Sequence, residues 1–202
     1  DITVVYRSDG SGTTNNFTNF MKNFTNDAWV VNDAFTSSIP GGSSKVSSFG
    51  SRFQGQSGSA NVSNYIADNN GTIGYTEVSF VVDPARAAKG MQSALIKNAG
   101  GIYTAPTAAA AASMIGGATI DAQGFVTFDY KQASNKTAYP IVAVTYLLGK
   151  TAKSAKNAVV ADFANWMIND YGPTAADALG YAPLAGAIKT AALAQAAKIN
   201  SK

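Results

Sequence analysis

The 202-residue chain contains no cysteine and no histidine. Without cysteine there are no disulfides, no thiolate metal sites and no cysteine nucleophile. Without histidine the commonest general base, the commonest metal ligand and the Ser-His-Asp triad are all missing. Catalysis would have to rest on carboxylates, lysine, tyrosine or an external metal. Charge is scarce as well. Only 13% of residues are charged, the formal net charge is +3, and no run of Lys or Arg exists. Nucleic-acid and acidic-membrane binding therefore find little support. Lys150, Lys153 and Lys156 are spaced like one solvated helix face. No apolar stretch reaches the roughly 20 residues that a membrane-spanning helix needs. The Asn-x-Ser/Thr triplets at Asn16, Asn23, Asn61 and Asn135 match the glycosylation pattern, as chance alone produces in a chain rich in Asn, Ser and Thr.

What is present is a 46% hydrophobic composition, enough for one large domain or two small lobes. The segment richest in chemical meaning is Val4-Val5-Tyr6-Arg7-Ser8-Asp9-Gly10-Ser11-Gly12-Thr13-Thr14. The β-branched run Ile2 to Tyr6 reads as a buried strand. Phe17, Phe20, Met21 and Phe24 follow at helical spacing. A strand, a Gly/Ser/Thr loop and a helix start together form an anion site. Glycines let backbone N–H groups converge, hydroxyls add donors, and the helix contributes the positive end of its dipole. Arg7 adds a fixed charge with a planar fork of donors.

Further along, residues 36–61 are dense in Ser and Gly but interrupted by Val46, Phe49 and Phe53, so the stretch reads as an ordered loop lining a cleft. Asn61 to Asn69 reads as a helix, Asn70-Gly71 as a turn, and Thr72 to Val82 as a β-prone run. A short helix is expected from Asp83-Pro84, and an extended pair around Gly100-Gly101. An Ala-rich helix is expected from Pro106, and an extended segment over Phe125 to Tyr130. Ile141 to Leu148 reads as a buried strand. Lys156 to Ile168 reads as an amphipathic helix closed by a glycine cap at Tyr171-Gly172. A short helix at Ala175 to Leu179 and a last one over Ala187 to Ile199 complete the pattern. Trp29 and Trp166 are read as core aromatics. Glu77 is read as a solvated or hinge-side residue.

Four segments give the chain a family likeness. They are Ile2 to Thr14 with its Arg-x-Asp-Gly-Ser-Gly-Thr core; Gly71-Thr72-Ile73-Gly74-Tyr75-Thr76-Glu77; Tyr139-Pro140-Ile141 leading to Leu148; and the helix around Phe163 and Trp166 with Leu179-Gly180-Tyr181-Ala182-Pro183-Leu184 after it. In these the chain resembles the C-terminal two-thirds of the phosphate-binding proteins of bacterial high-affinity phosphate ABC transporters, a periplasmic-binding-protein-like family. The resemblance implies an α/β fold of two lobes closing on one phosphate, with residues 1–138 in the second lobe and 139–202 returning into the first. It implies phosphate-binding roles for Arg7, Ser11, Gly12 and Thr13, with Asp9 holding the arginine. It also implies an extracytoplasmic protein, periplasmic or at the cell surface, that hands inorganic phosphate to an ABC permease and carries no cofactor.

The family also has an N-terminal segment that supplies the rest of the first lobe, part of the second and further phosphate contacts. The chain is therefore expected to be a processed or partial piece, completed by a missing N-terminal segment or a second chain. Two other functions share the fold. One is a phosphatase-like enzyme with Ser11 or Thr13 as nucleophile, for which no base or two-metal cluster is visible. The other is a surface or adhesive protein that kept the fold and lost transport.

Overall fold

In the computed structural model, which describes residues 1–202, the opening apolar run becomes strand β1 (Thr3–Arg7). Helix α1 (Gly12–Phe20) follows and widens into a π-helical turn at Met21–Thr25. The Ser/Gly-rich stretch is ordered and holds short helices α2 (Phe35–Ser38) and α3 (Gly42–Ser48), then strand β2 (Phe53–Gln56). Helix α4 (Ser59–Asp68), strand β3 (Thr72–Gly74) and the single turns α5 (Val78–Val81) and α6 (Pro84–Ala87) come next. β1 lies between β2 and β3 and runs parallel to both, with Val4 opposite Phe53 on one side and Ile73 on the other. These elements belong to the first of two compact units, Asp1–Leu95 and Ile96–Lys202.

The centre of the first unit is Val5 of β1 and Val62 of α4, both fully buried. α4 packs against all three strands. Gly74 is what lets it close on β3. A Cβ there would stand 2.6 Å from the Val5 carbonyl oxygen and 2.8 Å from Ile66 Cδ1, far inside van der Waals contact. Aromatic rings fill the remaining space: Tyr6 stacks on Phe35 at 4.7 Å and Phe17 on Tyr75 at 4.6 Å. Trp29 sets its edge against both Phe17 and Phe35. The buried polar residues are satisfied. Thr18 Oγ1 donates to the Asn15 and Asn32 carbonyls and Ser38 Oγ to that of Ala34.

The β-prone run Thr72 to Val82 stays in the sheet for only three residues. Tyr75, Thr76 and Glu77 leave it, and their side chains bond to residues of the loop after β1 and of α4. The run then turns helical in α5.

In the second unit, β4 (Ile96–Lys97) pairs antiparallel with β5 (Tyr103–Thr104), the extended pair expected around Gly100-Gly101. Helix α7 (Ala108–Gly116) begins at Thr107, whose side chain accepts the Ala110 N–H. β6 (Thr119–Ile120) pairs with β7 (Val126–Thr127). Helix α8 (Ala155–Trp166), capped by Ser154, runs through a π-helical turn at Met167–Tyr171 into α9 (Gly172–Ala175), and α10 (Gly186–Ala196) ends the unit.

Three local expectations differ here. Ile141 to Leu148 forms no strand. An apolar run becomes a strand only when a neighbour takes its backbone N–H and C=O groups, and none does, leaving Leu148 89% exposed. Gly172 does not cap a helix: its φ of −56° is helical and the chain continues into α9. The glycine that ends this helical course is Gly180, at φ 80°. Trp166 is not core. It stacks on Tyr171 at 4.9 Å on a face where Phe163 and Val159 are also exposed.

Candidate anion-binding site

β1 ends at Arg7 and α1 begins at Gly12, so residues 8–11 turn the chain from strand to helix. Ser11 is the N-cap. Its extended backbone places Oγ to accept the N–H groups of Thr13 at 3.1 Å and Thr14 at 3.3 Å. This meets two of the donors that a helix start leaves unpaired. Ser11 N–H itself donates to the Asp33 carbonyl at 3.0 Å. Of the amides at this helix start, the Gly12 N–H is left without a protein acceptor.

Arg7 is held from three directions. Nε donates to Asp9 Oδ1 at 2.7 Å and Nη2 to Oδ2 at 2.6 Å, the two-pronged geometry of a guanidinium on a carboxylate. Nη1 donates to Ser59 Oγ at 3.0 Å. The Arg7 side chain is 13% exposed and that of Asp9 38%. The Gly58 N–H reaches Asp9 Oδ1 at 3.0 Å from a residue whose φ of 78° suits glycine. The Arg7 hydrogen bonds, with that of Gly58 behind them, hold the Asp9 carboxyl well below the usual carboxylate range. The same bond to Asp9 raises Arg7, against the opposing effect of its burial. Both groups are therefore charged at neutral pH.

Thr13 points its hydroxyl at Glu77, donating to Oε1 at 2.8 Å. Thr76 Oγ1 donates to Oε2 at 3.2 Å and receives a bond from Ser63 Oγ at 3.1 Å. Burial opposes ionisation of Glu77, but hydrogen bonds from Ser59, its own backbone N–H, Thr13 and Thr76 together outweigh it and lower the pKa. Tyr75 braces the loop from behind. Its OH pairs with Thr14 Oγ1 at 2.7 Å and accepts the Arg7 N–H at 3.3 Å. Burial raises the Tyr75 phenol, so it stays neutral.

The loop thus gathers Arg7, Asp9, Ser11, Gly12 and Thr13 around one helix start. The Thr13 amide is turned to Ser11 Oγ and the Thr13 hydroxyl to Glu77. Sequence reasoning passed over Gly58, Ser59 and Glu77. The signal for the first two was there: Ser57-Gly58-Ser59 opens α4 with the same small, hydroxyl-bearing residues that open α1. Glu77 gave no such signal, because its role depends on the chain leaving the sheet after Gly74. Nowhere do three or more acidic side chains converge as a metal site would require, and no helix is long and apolar enough to cross a membrane. The uncommitted donors are the Ser11 hydroxyl proton, the Gly12 N–H and the remaining N–H bonds of Arg7, the set that a small tetrahedral oxyanion accepts.

Comparison with known proteins adds the following. A family model described as a PBP superfamily domain matches residues 1–171. The chain is 28% identical over 187 residues to the "Phosphate-binding protein PstS" of Xylella fastidiosa (strain 9a5c), covering 91% of this chain and 46% of that protein. It is 32% identical over 150 residues to the "Phosphate-binding protein PstS 3" of Mycobacterium tuberculosis (strain ATCC 25618 / H37Rv), covering 72% of this chain and 36% of that one. The chain thus spans less than half the length of these relatives. The crystal structure of a DING protein superposes with a TM-score of 0.75 at 22% identity, over 96% of this chain and 58% of that one.

Proposed function

The chain belongs to the PBP superfamily, and from that premise we propose that it binds inorganic phosphate through Arg7, Asp9, Ser11, Gly12 and Thr13. The observation that carries the reading is the largely buried Arg7 guanidinium, clamped by Asp9 next to the start of α1. Arg7 brings charge and directed donors. Asp9 cancels much of that charge, so a fixed cage of hydrogen bonds does the selecting. The relatives named as phosphate-binding proteins support the same ligand.

In this reading the protein is a solute-binding protein and performs no chemistry on the anion. It works outside the cytoplasm, in the periplasm or at the cell surface, and passes phosphate to an ABC permease. Residues 1–138 belong to its second lobe and 139–202 to the returning part of the first. Residues outside these 202, in the same polypeptide or a second chain, complete the cage.

Calorimetric titration of the 202-residue chain with phosphate tests the core of this. One-to-one binding is expected. Arg7→Ala should weaken it about 10- to 100-fold, the loss that goes with hydrogen bonds to a charged group. Unchanged affinity in a folded Arg7→Ala protein overturns the site.

A further inference from the structure

A carboxylate at the edge of an anion site is a puzzle, because its charge repels the ligand. Glu77 is such a group, and what it does instead is fix protons. An ionised carboxylate only accepts hydrogen bonds. Thr13 therefore spends its one hydroxyl proton on Glu77 Oε1, at 2.8 Å. Ser59 Oγ is already an acceptor for Arg7 Nη1, and its proton too goes to Glu77. Thr76 sends its own to Oε2. Toward any ligand, Thr13 Oγ1 can then only accept. Ser11 is the reverse. Its oxygen already accepts two amide N–H groups, and its proton is uncommitted. The loop so presents donors at Ser11, Gly12 and Arg7 and one acceptor at Thr13.

We infer that Glu77, acting through the Thr13 hydroxyl, is a specificity-determining residue that favours an oxyanion carrying a proton over a fully deprotonated one of the same shape. The inference rests on the phosphate reading above. Hydrogen phosphate has three acceptor oxygens and one P–OH, which donates to Thr13 Oγ1. Sulfate at neutral pH has no proton to give. One of its oxygens would then face the Thr13 lone pair, an unmade hydrogen bond that costs affinity. Glu77 does not touch the ligand, so it is a positioning residue. Its effect is read in the ratio of two affinities and not in either one alone.

The test titrates the 202-residue chain with sodium phosphate and with sodium sulfate at neutral pH. The unsubstituted protein should prefer phosphate. Glu77→Gln keeps the shape of the side chain but offers an amide N–H to Thr13 Oγ1, which turns the Thr13 proton toward the ligand. The phosphate-to-sulfate preference should fall about 10-fold, mostly by gain of sulfate affinity. Thr13→Val removes the acceptor without touching Glu77 and should lower the same ratio. It stands in should Glu77→Gln fail to fold, and thermal melting reports which variants are folded. An unchanged ratio in a folded variant, including equal weakening toward both anions as a purely structural role for Glu77 would produce, overturns the inference and leaves phosphate binding intact. Equal affinity of the unsubstituted chain for both anions overturns it as well. No phosphate binding by the unsubstituted chain overturns the phosphate reading, and this inference with it.

Discussion

Asp9 and Arg7 hold each other through two hydrogen bonds, and Gly58 adds a third to the carboxylate. The consequence is a pH dependence with a definite sign. The folded-state pKa of Asp9 lies below its ordinary value, which is about 3.9 in an unfolded chain. The stability that the pair contributes is therefore fully present above about pH 4 and is lost as the pH falls below it. Glu77, also lowered, acts in the same direction. Melting temperatures followed across the acid range should drop for the native protein, and Asp9→Asn should show a shallower drop from a lower starting value. Parallel curves for the two would mean that the Arg7–Asp9 pair does not exist in solution. At this scale the sequence was clearest for Arg7 and Asp9, two residues apart and joined by a local turn. It was poorest for Glu77, which meets Thr13 across 64 positions.

At the scale of elements, pairing decided more than composition. Phe53-Gln54-Gly55-Gln56 has no β-branched residue and lies in a Ser/Gly-rich stretch, yet it forms β2 because the open edge of β1 takes its backbone. Ile141 to Leu148 has the opposite character, strongly β-prone and without a partner, and it forms no strand. β-propensity measures fitness for a pleated, half-buried surface, not a backbone preference. α4 shows what this packing demands of single residues. Gly74→Ala would force a methyl between β3, the Val5 carbonyl and Ile66. A loss of about 1–3 kcal/mol is expected from overpacking of this kind, read from urea unfolding. A stability equal to that of the native chain would show that α4 does not sit this close to the sheet.

For the molecule as a whole, the two units differ in how their apolar groups are placed. In Asp1–Leu95 aromatic rings stack on one another around β1 and α1. In Ile96–Lys202 the buried residues are mainly small, Ala110, Ala138, Ala164 and Ala196, while Leu147, Leu148, Val159, Phe163 and Trp166 are exposed. Apolar surface gathered in this way binds other apolar surface. The 202-residue chain should enhance anilinonaphthalene sulfonate fluorescence and associate as its concentration rises in light scattering. Leu148→Ser with Val159→Ser should reduce both effects, and a monodisperse native chain that leaves the dye dark would contradict this. What the sequence determined by itself was local: the strand, turn and helix order around Arg7, the Ser11 cap, and the carboxylate beside the guanidinium, all set by neighbours within a few residues. The tertiary structure alone decided which segments became strands, and which distant residues, Ser59, Tyr75 and Glu77, close around the loop. Hydrogen-bond partners far apart in the chain are chosen by the packing of the sheet and α4, and no nearest-neighbour pattern records that choice.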